Sequence, residues 1–275
     1  MKEKIFITSQ LMGGLGNQMF QIAKALAVGI ENGIDVKFRR EAFIPLEGRQ
    51  PSNYAENIFR HITFEDFVDD LPIFRETSWA YRENNLTVTS SVKFLGYWQS
   101  SKNFGAGAND IRRRFSPTDG FIAKIRNRYA DILEKDSVSI HVRRGDYLRL
   151  SAIHPVIDKS YIDSAIDCIG KTSRIFVFSN DMKWCRENLD YAGAIFVDGL
   201  EDYEELWAMS MCDHNILSNS SFSWWGAFLN AGPNRKVCAP SLWFGPKGES
   251  HFEDIYEPDW QRIAVKFNEG RLVAV

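Results

Sequence analysis

The amino-acid sequence predicts an α/β protein made of two Rossmann-like domains, and three observations favour this class. From residue 138 onward, short apolar runs alternate with segments of helical periodicity, as expected for repeated βα units and a parallel sheet. The chain opens with a strand, a glycine-rich loop, an apolar helix and a second strand. A charged stretch at residues 131–136 separates the halves, so we expect domains at residues 1–133 and 134–275.

The second half contains strand and helix candidates in strict alternation. Strands are expected at residues 138–142, 174–179, 194–198, 214–217 and 236–240. Helices are expected at residues 161–169, 182–190, 203–211 and 224–231. Open parallel sheets bind ligands beyond the carboxyl ends of their strands, so the residues that follow these strands are candidates for function.

The first half is less regular. Residues 4–9 predict a strand, residues 19–30 a buried helix whose N-terminus faces the preceding loop, and residues 35–38 a second strand. We expect the two domains to face each other across a cleft that collects the functional loops.

Composition limits the classes of function. Hydrophobic residues make up 44% of the 275 residues, and a net charge of −3 with a pI near 6.0 argues against a general nucleic-acid-binding protein. The four cysteines lack Cys-x-x-Cys spacing and are expected to be reduced core residues of a cytoplasmic protein. We find no secretion signal, and no run approaches the roughly 20 apolar residues of a membrane span.

Residues 139–147 read Ser-Ile-His-Val-Arg-Arg-Gly-Asp-Tyr, a strand that ends in two arginines, a glycine and an aspartate. Guanidinium groups match phosphate oxygens with two parallel hydrogen bonds and stay charged at physiological pH. Arg143 and Arg144 are therefore candidate ligands of a phosphate, in a place where open sheets bind ligands. The alternative is that both are surface residues paired with carboxylates.

Residues 12–21 read Met-Gly-Gly-Leu-Gly-Asn-Gln-Met-Phe-Gln. The glycines at 13, 14 and 16 allow close approach of the backbone to a phosphate or sugar, or else only a tight turn. The loop is neither a Walker motif nor the dinucleotide fingerprint, because no Gly-Lys-Ser/Thr follows and Met19 occupies the third glycine position.

Residues 218–228 read Ser-Asn-Ser-Ser-Phe-Ser-Trp-Trp-Gly-Ala-Phe at a predicted strand-to-helix junction. Four hydroxyls and an amide beside the N-terminus of a helix suit the oxygens of a diphosphate. N-capping by one serine is the alternative, although a cap needs only one.

Two further residues follow strands. Asp181 can accept hydrogen bonds from the N–H edge of a guanine ring or can cap the helix that begins at residue 182. His141 lies at the end of its strand and either contacts the nucleotide or is hydrogen-bonded in place.

The sequence lacks the usual ligands of a catalytic metal, since no Asp-x-Asp, His-x-x-x-His or cysteine cluster occurs. It also lacks a Gly-x-Ser-x-Gly elbow. Arginine would then neutralise a leaving diphosphate, which favours metal-free glycosyl transfer.

Three of these segments together resemble the signature motifs of the α-1,2-fucosyltransferases of glycosyltransferase family 11: residues 13–21, 141–147 and 218–227. The resemblance extends over nearly the whole chain through residues 96–100, 178–185 and 239–244. The resemblance implies a GT-B fold, with the acceptor side in the first domain and the site of the donor GDP-fucose in the second. It also implies a β-galactoside acceptor, inversion at the anomeric carbon and no metal. The lack of an anchor makes the chain similar to bacterial, cytoplasmic members that act on O-antigen or similar glycans, with peripheral association to lipid-linked glycans as a further expectation.

The resemblance also implies roles for residues. Arg143 would bind the β-phosphate, and Asn17 would approach the reacting sugar. The donor site would include the residues Gly14, Gly16, His141, Arg144, Asn180, Asp181, Asn219, Ser220, Ser221, Phe222 and Ser223, with His141 and Asp181 at the guanosine and the serines at the diphosphate.

Asp146 is the preferred candidate for the catalytic base, because a carboxylate in the same turn can accept the hydroxyl proton. The alternative is that Asp146 orients Arg144 through an ion pair. Two rival functions stay open: a fucosyltransferase of another linkage, and a binding protein of the same fold without turnover.

Overall fold

The structure, a computed structural model, describes residues 4–41, 48–83 and 86–275. The chain divides into two units, one of residues Met1–Ser116 with Glu253–Ile255 and one of Pro117–Phe252 with Tyr256–Val275. This division falls before the boundary that we expected after residue 133. The helix that follows Thr118 is part of the second unit, where its Phe121 ring lies 5.2 Å from the ring of Trp207.

The first unit contains a four-stranded sheet in the order β2-β1-β4-β3, and every neighbouring pair is parallel. Its strands are β1 Phe6–Ser9, β2 Asp35–Val36, β3 Ile73–Arg75 and β4 Val92–Leu95, and its helices are α1 Leu15–Asn32 and α2 Ala108–Phe115. The expected strand at residues 35–38 is shorter than predicted. The predicted helix is present, but it begins four residues earlier than Met19, at Leu15.

The second unit contains a six-stranded parallel sheet in the order β11-β10-β9-β5-β7-β8. Its strands are β5 Ser137–Val142, β7 Arg174–Ser179, β8 Ile195–Phe196, β9 His214–Ile216, β10 Val237–Pro240 and β11 Gln261–Ile263. Numbered along the chain, the six strands read 3-2-1-4-5-6 across the sheet, which is the order of the Rossmann fold. The order reverses between β5 and β9, so the carboxyl ends of these two strands form the topological switch point where such sheets bind ligands.

Five helices connect these strands or precede them: α3 Asp119–Arg128, α4 Lys159–Ile169, α5 Met182–Asn188, α6 Asp202–Met211 and α7 Ser221–Leu229. All five predicted strands and all four predicted helices of this half are present, with ends that differ by a few residues. The core between sheet and helices is apolar, and Tyr161 within it donates its hydroxyl to the carbonyl of Leu217 at 2.7 Å.

A small third sheet was not predicted. It has the order β12-β13-β6 and consists of β6 Val156–Ile157, β12 Val265–Asn268 and β13 Arg271–Ala274. Strand β12 runs antiparallel to β13, and β13 runs parallel to β6.

Three of the four cysteines are buried as expected, but Cys168 is exposed, so the prediction of four core cysteines is wrong for that residue. Cys168 lies in the last turn of α4, one residue before the helix ends at Ile169. Within the described ranges, no helix is both long and apolar enough to cross a membrane.

Candidate active site

Strand β5 delivers the arginine pair to the switch point. All six residues of β5 are buried, and the chain leaves the sheet at Arg143. Gly145 has φ +32°, and a Cβ atom there would lie 2.3 Å from Nδ2 of Asn180. The turn therefore requires glycine at this position, for both its conformation and its space.

Arg143 is held by its own turn. Its Nη2 lies 2.6 Å from Oδ1 of Asp146, and its guanidinium carbon lies 5.5 Å from the centre of the Tyr147 ring. The arginine side chain is 29% exposed, so it is only partly covered by the protein. Asp146 thus orients Arg143, and our alternative that it pairs with Arg144 is wrong, because the turn brings a different aspartate to Arg144.

Arg144 reaches across to the end of β7. Its Nε donates to Oδ2 of Asp181 at 3.1 Å, its guanidinium stacks 4.1 Å from the Trp184 ring, and its backbone N–H donates to Oδ1 of Asn180 at 2.9 Å. Asp181 is also the N-cap of α5, because its Oδ1 accepts the backbone N–H of Trp184 at 3.2 Å. Each carboxylate oxygen keeps a second lone pair. A contact between Asp181 and guanine therefore stays a prediction beside the confirmed capping role.

His141 is buried at the end of β5. Its Nδ1 lies 2.8 Å from the hydroxyl oxygen of Ser218, and its ring lies 5.3 Å from that of Phe222. Burial, with a smaller contribution from the positive charge of Arg143, lowers the pKa of His141 to about 3. The imidazole is therefore neutral at physiological pH and acts as a hydrogen-bonding group, not as a cation.

The serine turn after β9 is held mainly by its own hydroxyls. Ser220 caps α7, with its Oγ accepting the Phe222 N–H at 3.3 Å. The buried Ser223 hydroxyl donates to the carbonyls of Ser218 at 3.1 Å and Ser220 at 3.2 Å. Asn219 is buried and donates from Nδ2 to the carbonyl of Trp243 at 2.9 Å.

These contacts distinguish the residues that stabilise the turn from Ser221. Ser223 and Asn219 stabilise the turn, whereas Ser221 is the first residue of α7 and is half-buried. Diphosphate binding by this segment stays a prediction. Trp224 and Trp225 are fully buried, which makes them core residues rather than stacking surfaces for a sugar or base.

Tyr147 connects the arginine turn to the serine turn, a link that the sequence analysis did not identify. Its hydroxyl donates to the carbonyl of Asn219 at 3.2 Å, and its ring stacks on His154 with 4.9 Å between the centroids. Burial is the main cause that raises the pKa of Tyr147 to about 12. The signal in the sequence that could have indicated this role was the position of Tyr147 directly after the Arg-Arg-Gly-Asp segment.

The glycine loop lies in the first unit and leads into α1. Gly13 has φ +76°, and a Cβ atom there would lie 2.6 Å from Nδ2 of Asn17. Gly14 is the N-cap of α1 but has no side chain to cap it, and a Cβ atom there would meet nothing within 4 Å. Gly16 and Asn17 belong to the first turn of the helix, because α1 begins at Leu15.

Asn17 is fixed by a residue of the loop that follows β4. Its Oδ1 accepts a hydrogen bond from Nε2 of Gln99 at 2.8 Å. Gln99 follows Trp98, which has φ +55° and whose backbone N–H donates to the carboxylate of Glu76 at 3.1 Å. The Trp98 side chain is buried in the core.

Among the described residues, one group of three acidic or histidine side chains lies close enough together to bind a metal ion: Asp136, Asp213 and His214. The group lies at the amino ends of β5 and β9, whereas the arginine turn follows the carboxyl end of β5. Its polar atoms have structural partners, since Asp213 accepts the Asp136 N–H at 2.8 Å and His214 Nδ1 accepts the Lys236 N–H at 3.1 Å.

Solved structures share this architecture. NodZ, a fucosyltransferase from Bradyrhizobium, aligns with a TM-score of 0.53 at 13% identity over 82% of this chain and 92% of its own. The likeness, together with the parallel sheets, confirms the predicted GT-B fold class.

The profile of glycosyl transferase family 11 matches residues 1–264. The chain belongs to this family, as the three sequence motifs predicted, and the protein is a glycosyltransferase.

Relatives with similar sequences are also named as glycosyltransferases. An alpha-1,2-colitosyltransferase of Escherichia coli is 30% identical over 94% of this chain and 98% of its own length. The galactoside alpha-(1,2)-fucosyltransferase 2 of Oryctolagus cuniculus is 26% identical over 96% of this chain and 78% of its own length. The O-antigen biosynthesis glycosyltransferase WbnK of Escherichia coli is 34% identical, but over only 42% of this chain and 41% of its own length.

Proposed function

We propose that this protein transfers L-fucose from GDP-β-L-fucose to the 2-hydroxyl of a terminal β-galactoside, with inversion, to form an α-1,2 linkage. The observation that carries the proposal is the arginine turn at the switch point of a family 11 chain. Relatives named as α-1,2-fucosyltransferases support the linkage, and a relative named as an O-antigen glycosyltransferase supports a role in the synthesis of a bacterial surface glycan. We propose that the enzyme acts in the cytoplasm.

In the proposed reaction, the galactose O2 attacks C1 of fucose on the face opposite GDP. The bond between C1 and the phosphate oxygen breaks, and its electron pair stays on the β-phosphate. Arg143 stabilises the negative charge that develops there, because its guanidinium is already oriented by Asp146 before the reaction begins. Arg144 and Asp181 hold the nucleotide at the neighbouring strand end.

The proton of the attacking hydroxyl needs an acceptor. Asp146 is our first choice, although its ion pair with Arg143 equally supports a purely orienting role. Asn17, held by Gln99, approaches the reacting sugar. Because arginine supplies the counter-charge, we propose that turnover needs no metal, and a chelator should then leave the rate unchanged.

A second donor deserves a direct test. The colitosyltransferase of Escherichia coli is similar to almost the whole chain, whereas the rabbit fucosyltransferase is longer than this chain and less similar. Colitosyl transfer is therefore the second candidate function.

The test is incubation with lactose and either GDP-fucose or GDP-colitose, with released GDP quantified and the product linkage assigned by NMR. An α-1,2-fucosylated product supports the proposal, and a product formed only from GDP-colitose supports the second candidate. A different linkage, or binding of GDP-fucose without GDP release, would reject the proposal in favour of the two rival functions.

A further inference from the structure

The two faces of the first-unit sheet differ in character. Ser9 faces α1, because its hydroxyl donates to the carbonyl of Gln21 at 2.9 Å. Side chains alternate along a strand, so Thr8 points to the other face. Thr8 pairs in register with Lys93 of β4, which places both on that face. In the described part of the chain, this face borders a cavity of about 210 Å³.

Four charged side chains line the cavity, and two of them, both cations, lie beside Asp69. Lys93 Nζ lies 3.0 Å from one carboxylate oxygen of Asp69, and Arg39 Nη1 lies 3.9 Å from the other. Glu41 is the fourth charged residue. Lys93 is only 11% exposed, whereas Arg39 is 51% exposed, so the group runs from the interior to the surface.

This charge pattern indicates the chemistry of the ligand. Arg39 and Lys93 carry two positive charges, and Asp69 and Glu41 carry two negative charges, so the lining has no net charge that would attract an anion. Paired carboxylates and cations are suited to hydroxyl groups, which donate and accept hydrogen bonds at once. Phe67 and Leu11 add apolar surface for C–H groups. A neutral polyhydroxylated ring matches all of these features.

The size of the cavity also fits a sugar ring. One water molecule occupies about 30 Å³ in the liquid, so the cavity has room for several waters or one sugar ring. The cavity also adjoins the glycine loop in the chain, because Leu11, which lines it, is followed by Met12 and Gly13.

We propose that this cavity binds one sugar ring of the acceptor glycan. The inference rests on the proposed function, in which the acceptor is a β-galactoside, and it assigns a recognition role to Arg39, Asp69 and Lys93. These three residues lie outside the motifs that link the chain to its family.

The test compares Arg39→Ala and Asp69→Asn with the matched controls Arg40→Ala and Asp70→Asn. Each control replaces an exposed neighbour of the same type that does not line the cavity. The readouts are the binding of lactose and methyl β-galactoside by saturation-transfer NMR without donor, the KM for lactose, and the KM for GDP-fucose. Thermal unfolding checks that each variant is folded, and the half-exposed Arg39 keeps the test valid if Asp69→Asn is unstable.

We expect the cavity variants to raise the KM for lactose about tenfold or more, because each removes a hydrogen-bonding partner that carries charge, and to leave the KM for GDP-fucose unchanged. The controls should match the wild type. Equal behaviour of Arg39→Ala and Arg40→Ala toward lactose would overturn the proposal, as would a change confined to the donor KM.

The binding readout separates this inference from the proposed function. If the wild type binds lactose through the cavity but transfers no fucose to it, the reaction is wrong and the sugar site stands. If the wild type consumes GDP-fucose yet binds neither sugar probe, the cavity proposal is rejected.

Discussion

Replacing Arg143 by alanine removes the group to which we assign the charge of the departing diphosphate. The loss of one preorganised charge-stabilising donor typically lowers the rate by about 10²- to 10³-fold, or roughly 3 to 4 kcal/mol of transition-state stabilisation. An independent estimate agrees: two unit charges about 4 Å apart interact by about 4 kcal/mol at an effective dielectric constant of 20, which suits a partly exposed group. Arg143 is 29% exposed, so it meets that condition.

The same change should cost little stability. The ion pair between Arg143 and Asp146 is partly exposed on both sides, at 29% and 22%, and exposed pairs contribute about 1 kcal/mol or less. We therefore expect a folded enzyme with near-normal thermal unfolding and almost no turnover. The assay is GDP release from GDP-fucose in the presence of lactose, with thermal unfolding measured on the same samples.

A matched control is available in the same unit. Arg186 forms an ion pair with Asp198 and lies 4.9 Å from the ring of Phe196, but it is outside the site. Arg186→Ala removes the same kind of contacts and should keep wild-type turnover. Retention of more than a tenth of wild-type turnover by folded Arg143→Ala would show that Arg143 does not stabilise the charge of the departing diphosphate.

Three further predictions concern the same unit. Asp146→Asn should lower turnover about 10²-fold or more and abolish the acidic limb of the pH–rate profile if the carboxylate is the base, whereas normal turnover with a flat profile would reject that role. In the wild type, the folded-state pKa of His141 is about 3, so the free energy of unfolding should fall by about 1.4 kcal/mol per pH unit as the pH drops below 6.5. His141→Gln should flatten this dependence, as measured by urea denaturation between pH 7 and 5. An unchanged slope in the variant would contradict the assignment. Gly145→Ala should lower the free energy of unfolding by about 1 to 2 kcal/mol and weaken GDP binding, because its Cβ would strike Asn180, whereas Gly120→Ala, where a Cβ meets nothing within 4 Å, should be neutral.

The fold of the second unit could be predicted well because its signals are local. Strand β7 was expected at residues 174–179 and is observed as Arg174–Ser179, since a buried parallel strand reads as one apolar run between polar ends. The small third sheet was missed for the opposite reason. Its β6 has only two residues, and it pairs with β13 more than a hundred residues later, so no local pattern reveals the pairing.

The contacts within the candidate site also could not be predicted from local sequence patterns. The types of residue at the strand ends predicted a phosphate-binding turn, but the partner of each arginine depends on backbone angles that the sequence does not display. Arg144 has φ −132° and ψ −96°, and Gly145 has a positive φ. These angles turn Arg143 toward Asp146 and Arg144 toward Asp181. Likewise, the hydroxyl of Ser223 was expected to face a ligand, and only the structure shows that it bonds to its own turn.

The most direct test of the central claim is a crystal structure of the protein with GDP bound. We expect the guanidinium of Arg143 to lie about 2.7 to 2.9 Å from an oxygen of the β-phosphate, with Asp146 still paired to it. A complex in which the Arg143 side chain points away from the diphosphate would contradict it.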